Sequence, residues 1–390
     1  MTVAAPVYLD YAATTPVDPR VAQAMSECLA PSGSFGNPAS QHSYGRAARE
    51  RVEQARGQVA QLLGTAASRL VFTSGATESN NLAILGTARA AAAAAAGKCG
   101  HIITARTEHK AVLDPCRRLE QDGWRVTYLT PDSRGLIDPA QVRAALSRDT
   151  VLVSIMHANN EIGVLQDIEA IGSHCRERDV PLHVDAAQSA GKVDIDLAHW
   201  PVELLSVTAH KLYGPKGIGA LYVSPGRRAR LQPLIFGGGH ERGLRSGTLP
   251  VHQIVGFGLA CELCSEERTS EARHLEALRA RLWQALSAIG DVLLNGHPTQ
   301  RVAGILNVSF PGVEGESLLL GLPELALSTG SACNSDSDEP SYVLRALGRD
   351  TELAQSSLRF SLGRFSTERD VDEAANAVRR EVERLRAVAP

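Results

Sequence analysis

The sequence has no long hydrophobic run and no surplus of charge of one sign. Of its 390 residues, 43 are acidic and 40 are basic, and the basic residues are scattered rather than clustered. Such a balance leaves no electrostatic footprint for nucleic acid or for an anionic membrane. Every apolar stretch is too short to cross a bilayer, which needs about 20 residues. The sequence therefore argues against direct nucleic-acid binding and membrane insertion, and it favours a small substrate.

Cysteines are few and follow no pairing pattern. The seven positions are Cys28, Cys99, Cys116, Cys175, Cys261, Cys264 and Cys333. An odd number without disulfide or zinc spacing is typical of reduced thiols, and residues 1–10 lack a secretory signal. Cys261 and Cys264 form a C-x-x-C pair inside a predicted helix, so we interpret them as packing residues. We expect a cytoplasmic protein.

Aromatic residues are also scarce, at 4%, but hydrophobic residues reach 44%, which is ordinary for an α/β enzyme. Short β-branched runs alternate with helix-like segments, which predicts βαβ units and a mostly parallel sheet. The predicted strands are Leu70–Phe72, His101–Thr104, Val126–Leu129, Val151–Ile155, Pro181–Val184, Leu204–Val207 and Gly219–Val223. The predicted helices between them are Arg46–Leu63, Glu78–Ala96, Ala111–Gln121 and Ile168–Arg178. We predict a large α/β domain whose mostly parallel, seven-stranded sheet is flanked by helices.

The last third of the chain predicts a second, smaller α+β domain. Residues 255–288 are strongly helical and charged, as expected of a long connector. Three short apolar runs follow, separated by helices: Gly304–Phe310, Leu318–Leu320 and Leu358–Leu362. We assign residues 18–260 to the large domain, and residues 1–17 and 261–390 to the small one.

Polar residues follow five of the predicted strands. They are Thr73 to Glu78, Thr107 to Lys110, His157 to Glu161, Asp185 to Gln188, and Thr208 to Lys211. The carboxyl ends of parallel strands meet at one edge of a sheet, where ligands bind. The sequence therefore predicts one polar cleft.

Each of these elements also has a purely structural explanation. Gly75 and the residues after it can form a simple helix start, and His109 can be a hydrogen-bonded core histidine. Asp185 can cap the following helix, and Lys211 can be a surface lysine. The coincidence of all of them at strand ends is much harder to explain structurally than any one alone.

Together these residues meet the requirements of pyridoxal phosphate. That cofactor needs a lysine for a Schiff base, an anion site, a ring to stack on, and a carboxylate that keeps its pyridine nitrogen protonated. A nicotinamide enzyme would need the G-x-G-x-x-G fingerprint, which is absent. We expect no metal site, because the histidines adjoin lysines and amides rather than other metal ligands.

Longer motifs make the family recognisable. They are Tyr8 to Pro16, Phe72 to Asn80, Thr107 to Val112, His183 to Asp185, Gly237 to Gly243, Ser328 to Cys333, Glu339 to Gly348, and Ser361 to Phe365. In these motifs the chain closely resembles the cysteine desulfurases of the class V aminotransferase family, which are fold-type I pyridoxal-phosphate enzymes. The resemblance covers nearly the whole chain and is closest to the housekeeping, IscS/NifS-like type.

The resemblance implies a role for each cofactor-binding residue. Lys211 would bind the cofactor covalently and act as the base at the substrate Cα. His109 would stack on the ring and take part in catalysis by relaying protons. Asp185 would pair with the pyridine nitrogen, and Gln188 with the phenolic oxygen. The phosphate would be held by Ala76, Thr77, Thr208 and His210, and by Thr248 from the second subunit of a homodimer.

The resemblance also implies the substrate site and the nucleophile. Asn160 and Arg359 would hold the carboxylate of L-cysteine, with Asn37 as a further candidate. Cys333, in a longer loop at about 328–340, would take the sulfur as a persulfide while L-alanine leaves. The sulfur would then pass to an acceptor protein.

We expect the sulfur to be used for iron–sulfur cluster assembly, but the sequence is also compatible with other functions. These are delivery to transfer-RNA thiolation or DNA phosphorothioation, and a selenocysteine lyase activity. Thr208 replaces the serine common in the family, and Asp336, Asp338 and Glu339 make the cysteine loop acidic, which should raise the pKa of its thiol. Housekeeping relatives also extend into a docking tail beyond the point that corresponds to Pro390.

Overall fold

The structure is a computed structural model, and it describes residues 5–226, 230–328 and 339–388. The helices in these ranges are α1 (Pro19–Leu29), α2 (Ser43–Leu62), α3 (Ala76–Ala94), α4 (Lys110–Gln121), α5 (Pro139–Ala145), α6 (Ile168–Glu177), α7 (Val251–Ser287), α8 (Gly315–Leu320), α9 (Tyr342–Ala346), α10 (Thr351–Gln355) and α11 (Glu368–Val388). The strands are β1 (Val7–Tyr8), β2 (Leu70–Thr73), β3 (His101–Ala105), β4 (Arg125–Leu129), β5 (Thr150–Ser154), β6 (Leu182–Asp185), β7 (Leu204–Thr208), β8 (Gly219–Val223), β9 (Leu293–Asn295), β10 (Ile305–Ser309), β11 (Leu325–Ala326) and β12 (Ser357–Ser361). None of the helices in the described ranges has the length and apolarity to span a membrane.

The central sheet has seven strands in the order β2-β8-β7-β6-β5-β3-β4. Strand β8 is antiparallel to both of its neighbours, and the remaining pairs are parallel. Every strand of this sheet except β8 therefore runs in the same direction. The predicted mostly parallel, seven-stranded sheet is confirmed, and its strand ends lie within two residues of the predicted ones.

Both faces of this sheet are covered by helices. In β2, Leu70 and Phe72 pack into the core on one face, while Val71 packs into the core on the other. This alternation follows from the pleat, which sends successive side chains to opposite faces. Helices α2 and α7 supply residues to the first core, and α3 and α4 to the second. Because both faces of the sheet are buried, the sequences of these strands are continuous apolar runs.

A second set of strands lies around another core. Strands β9, β10 and β12 form an antiparallel sheet, and β1 pairs with β11 in parallel. Helix α7 is 37 residues long and connects the cores, since Ile254 packs in the first and Leu282 in the second. The predicted connector helix is thus confirmed. The proposed boundary between residues 260 and 261 falls inside this continuous helix, and the division into domains stays a prediction.

One predicted apolar run has a different structure. Leu318–Leu320, expected as one of the short apolar runs between helices, lies within helix α8. The carboxylate of Glu314 caps this helix by accepting hydrogen bonds from the backbone N–H groups of Glu316 and Ser317. Such a cap favours a helix start, and Gly321 follows at the end.

Candidate active site

The carboxyl ends of β2, β3, β5, β6 and β7 border a cleft of about 530 Å³. The predicted convergence follows from the strand directions, because these five strands run in the same direction. The predicted site residues that line the cleft are Ala76, Thr77, His109, Asn160, Asp185, Gln188, Thr208, His210, Lys211 and Arg359.

One end of the cleft is the N-terminus of helix α3. Gly75 occupies the cap position with φ of 150°, a conformation that residues with a side chain rarely adopt, and no side chain caps the helix. The first N–H groups of a helix have no acceptor within it. The side-chain oxygen of Thr208 is 3.7 Å from the position that a Cβ on Gly75 would take. An uncapped helix start beside a hydroxyl suits a phosphate group.

Asp185 ends strand β6 and is 3% exposed. Its Oδ2 accepts a hydrogen bond of 2.7 Å from the side-chain amide of Asn80, and its Oδ1 accepts one of 2.9 Å from the backbone of Ala187. Two donors hold a buried carboxylate in place and help to stabilise its charge. This arrangement suits a carboxylate that faces a protonated ring nitrogen.

His109 is the cap residue of helix α4. Its Nδ1 accepts a hydrogen bond of 3.0 Å from the backbone N–H of Ala111, so the neutral ring carries its proton on Nε2. Burial lowers the pKa of His109, and Lys211 lowers it further, against the opposing effect of Asp185. A neutral, fixed imidazole is suited to stacking against an aromatic ring.

Lys211 lies in a short 3₁₀ turn that directly follows β7. The next residue upstream, His210, contacts the hydroxyl of Thr14 through Nδ1 at 3.1 Å. Burial lowers the pKa of His210 to about 4, and the charges of Lys211 and Lys216 contribute. These cations give this part of the cleft a positive field that favours an anionic ligand.

Arg359 enters the cleft from strand β12, which belongs to the second sheet. Its guanidinium donates 3.0 Å to the backbone oxygen of Asn160 and 2.6 Å to a carboxylate oxygen of Asp10. Among the described residues, Nε of Arg359 and Oδ1 of Asn160 are buried without a hydrogen-bond partner. Buried polar atoms of this kind need partners, so the pair suits a ligand with both an acceptor and a donor group.

Three predicted residues are not in this cleft. Asn37 is exposed and lines another cavity of about 410 Å³, together with residues 240–242 and Leu249. Thr248 is also exposed and adjoins Leu249. Cys333 lies outside the described residues. The roles of these three residues stay predictions.

The other six cysteines are free thiols, as expected. Five are buried: Cys28, Cys116, Cys175, Cys261 and Cys264. Burial raises the pKa of Cys116, Cys175 and Cys264 to about 12, which leaves little reactive thiolate. Cys99 is exposed, but it precedes β3 and so lies at the edge of the sheet opposite the cleft. The interpretation of the C-x-x-C pair as packing residues is confirmed.

Sequence reasoning missed three contacts within the site. Asn80, Asp10 and Lys192 bond to Asp185, Arg359 and Gln188, respectively. Asn80 and Asp10 stand in the quoted motifs, and a buried amide on a helix could have signalled the first. Within the described ranges, no cluster of histidine, cysteine and carboxylate side chains could hold a metal ion.

Comparison with known proteins agrees with this geometry. The family model for class-V aminotransferases matches residues 7–374. The cysteine desulfurase IscS of Aeromonas salmonicida is 59% identical over 386 residues, which cover 99% of this chain and 95% of the relative. A solved NifS-like protein superposes with a TM-score of 0.88 at 37% identity, with 97% and 99% of the two chains covered. A structure described as SspA in complex with cysteine has a TM-score of 0.81 at 40% identity, with 92% and 99% covered.

The fold and the cleft define an enzyme of the fold-type I pyridoxal-phosphate class, and that cofactor is common to the family. The chain belongs to the class-V aminotransferase family, within its cysteine desulfurase group. The residues of the cleft fit that cofactor, because they include an uncapped helix start that suits a phosphate, a buried carboxylate at Asp185 and an amine at Lys211.

Proposed function

We propose that this chain converts L-cysteine into L-alanine and carries the sulfur on Cys333 as a persulfide. The observation that carries the proposal is the position of Arg359 and Asn160. They bring a carboxylate-binding guanidinium into the same cleft as Lys211 and Asp185. A cofactor site with an adjoining carboxylate site is what an amino-acid substrate requires. The high identity to cysteine desulfurases over the full chain supports cysteine as that amino acid.

When bound, pyridoxal phosphate withdraws electrons from the substrate Cα. The guanidinium of Arg359 and the side-chain NH₂ group of Asn160 would donate to the substrate carboxylate, which orients the Cα–H bond toward Lys211. The amine of Lys211 would take the proton from Cα and return a proton to the product. Asp185 would keep its negative charge beside the ring nitrogen, and neutral His109 would cover the ring.

The sulfur step needs a thiolate. Cys333 would attack the substrate sulfur, so that the C–S bond breaks, an S–S bond forms, and the carbon takes a proton to become alanine. The described residues on either side of its segment bond to Arg359 and to the neighbour of Asn160. The carbonyl of Ser328 accepts from the Arg359 backbone at 2.8 Å, and Ser341 donates to Glu161 at 2.5 Å. Five residues from Ser328 span at most roughly 17 Å, which allows the thiol to reach the cleft.

The experiment that tests this function is a sulfur-mapping assay. The protein is incubated with L-cysteine, alkylated and digested, and alanine is measured in parallel. We expect one added sulfur on the peptide that contains Cys333, together with alanine formation. Absence of alanine, or a persulfide only on another cysteine, would refute the proposed reaction.

We also propose that the enzyme is a homodimer in which Thr248 serves the partner's phosphate site. Its exposure and its absence from the cleft of its own chain support this arrangement. Mixed dimers of Lys211→Ala and Thr248→Ala test it, because only exchange of Thr248 between subunits rebuilds one intact site. Activity above that of both parents is expected. Activity no higher than the mean of the two parents would contradict the exchange.

The acceptor of the sulfur is, in our proposal, a scaffold protein for iron–sulfur cluster assembly in the cytoplasm, where thiols stay reduced. The identity to IscS relatives supports this destination. Purification of proteins that bind the persulfide form tests it. Recovery of a transfer-RNA thiolation or DNA phosphorothioation protein, without a scaffold, would assign the sulfur elsewhere.

A further inference from the structure

We propose that Lys192 is a positioning residue that fixes the orientation of the Gln188 side-chain amide toward the cofactor. The inference rests on the proposed function, because it takes Gln188 to face the phenolic oxygen of pyridoxal phosphate. Lys192 itself does not line the cleft that holds the cofactor site. Its effect would therefore pass through Gln188.

Hydrogen bonds at both ends of the amide determine its orientation. Lys192 Nζ donates to Gln188 Oε1 at 2.7 Å, and Gln188 Nε2 donates to the carbonyl oxygen of Ala12 at 2.7 Å. A lysine ammonium only donates and a backbone carbonyl only accepts. Exchanging the amide oxygen and nitrogen would place two acceptors, Gln188 Oε1 and the carbonyl oxygen of Ala12, against each other, so the network itself identifies the two ends.

The acceptor of this network is held in place as well. Ala12 is 2% exposed, and its backbone N–H donates to the hydroxyl of Ser361 at 2.9 Å. Because an amide NH₂ has two hydrogens, one remains for an acceptor in the cleft. In the reverse orientation, Oε1 would face the phenolic oxygen, and two acceptors would repel each other. Lys192 thus favours the orientation in which Gln188 donates to the cofactor.

The backbone brings the two side chains together. Lys192 follows Gln188 by four residues in a turn in which Gly191 has φ of 71°. A Cβ on Gly191 would lie 2.6 Å from a methyl of Leu212, so this position accommodates only glycine without a shift. The turn directs Lys192 into a small cavity of about 30 Å³, which Lys211, Glu271 and Arg268 also line.

The surroundings of Lys192 allow its hydrogen bond to Gln188 to be separated from the effect of its positive charge on the cofactor. Burial and the charge of Lys211 lower the pKa of Lys192 to about 7, and Glu271 opposes this shift. A neutral amine still carries N–H donors for the Gln188 oxygen. Arg268 brings another positive charge to the same cavity, but it pairs with Asp194 and has no hydrogen bond to Gln188. Arg268→Met is therefore a matched control for loss of charge.

The test is a double-mutant cycle on the holoenzyme, read from the visible absorption band of the bound cofactor. The variants are Lys192→Met, Gln188→Leu and the double variant, with Lys192→Arg as the conservative replacement that keeps a donor. Cofactor affinity is measured alongside by equilibrium dialysis. These readouts do not depend on turnover, and a purely structural defect would not shift the band.

We expect Lys192→Met to shift the band in the same direction as Gln188→Leu and to weaken cofactor binding by about fivefold to tenfold, as the loss of one hydrogen bond does. In the Gln188→Leu background, Lys192→Met should add no further shift. Lys192→Arg and Arg268→Met should keep the wild-type band.

Any of four results would overturn the inference. A wild-type band in Lys192→Met, or a shift that adds fully to that of Gln188→Leu, would mean that Lys192 does not act through the amide. An equal shift in Arg268→Met would assign the effect to charge alone. If Gln188→Leu itself leaves the band unchanged, the proposed role of Gln188 fails together with this inference. Even then, if Lys211→Ala loses the band while Gln188→Leu keeps it, the cofactor site at Lys211 is still supported.

Discussion

Replacing Asn80 should lower the activity of the enzyme through the hydrogen bond that its side chain makes to Asp185. Asn80 is fully buried on helix α3, and its amide donates to Asp185 Oδ2 at 2.7 Å. Its own Oδ1 has no hydrogen-bond partner in the described part of the chain. Among the described residues, the contact with Asp185 is therefore the one hydrogen bond of this side chain.

The magnitude follows from the charge and burial of the acceptor. A hydrogen bond to a charged group contributes about 1.5–3 kcal/mol, and Asp185, at 3% exposure, has little access to water that could replace the donor. Each 1.36 kcal/mol corresponds to a factor of ten in rate. If this energy holds the carboxylate against the ring nitrogen, its loss lowers kcat/KM by about tenfold to a hundredfold.

The variants separate the hydrogen bond from the volume of the side chain. Asn80→Leu keeps the size but removes the donor, whereas Asn80→Ala also opens a cavity. Asn81→Ala is the matched control, because Asn81 is on the same helix and its amide donates to the Thr77 carbonyl at 2.9 Å rather than to Asp185. Its kcat/KM should stay within about twofold of wild type.

The assay measures alanine formation from L-cysteine, the visible spectrum of the bound cofactor, and thermal unfolding. We expect both Asn80 variants to lose kcat/KM and to change the spectrum, with a lower Tm in the alanine variant. Wild-type kcat/KM and an unchanged spectrum in Asn80→Leu would refute the reasoning, because the buried donor would then contribute nothing to Asp185.

Further predictions concern the nucleophile, the substrate site and the acid stability. Cys333→Ser should retain the cofactor spectrum but lose almost all alanine formation. Cys99→Ser is the control, because Cys99 lies at the opposite edge of the sheet, and this variant should form alanine at the wild-type rate. Equal losses in both variants would contradict the assignment of Cys333 as the nucleophile. Arg359→Gln should raise KM for L-cysteine by about tenfold to a hundredfold, since it removes a charge-assisted carboxylate contact; an unchanged KM would exclude Arg359 from that contact. Burial lowers the pKa of His183 to about 4 in the folded protein, against about 6.5 in the unfolded chain. Between these pH values the unfolded chain binds one proton more than the folded protein. The free energy of unfolding therefore falls as the pH drops from 6.5 to 4. His183→Gln should flatten that fall by up to about 3 kcal/mol in urea unfolding, and identical pH profiles would refute the shift.

The sequence alone determined the class of fold and the polar segments that meet in the cleft. Alternating apolar runs predicted the strands of the central sheet, because residues buried on both faces leave a clear apolar pattern. Lys211 and Asp185 could be assigned to one edge of the sheet without a structure, since each lies at or just beyond the end of a strand and parallel strands end at one edge. Predictions of this kind succeed because they depend only on residues that are close together in the sequence.

The tertiary structure decided which side chains orient that site. Arg359 meets Asp10 across 349 positions of sequence, and Asn80 meets Asp185 across 105. These contacts join separate elements that packing brings together, so no local pattern specifies them. The helix at Leu318–Leu320 was likewise missed, because three apolar residues fit a strand or a helix equally well and a carboxylate cap on the preceding turn decided between them. The periodicity of apolar residues indicates which side of each helix or strand is buried, whereas the distances between functional groups depend on how the elements pack against one another.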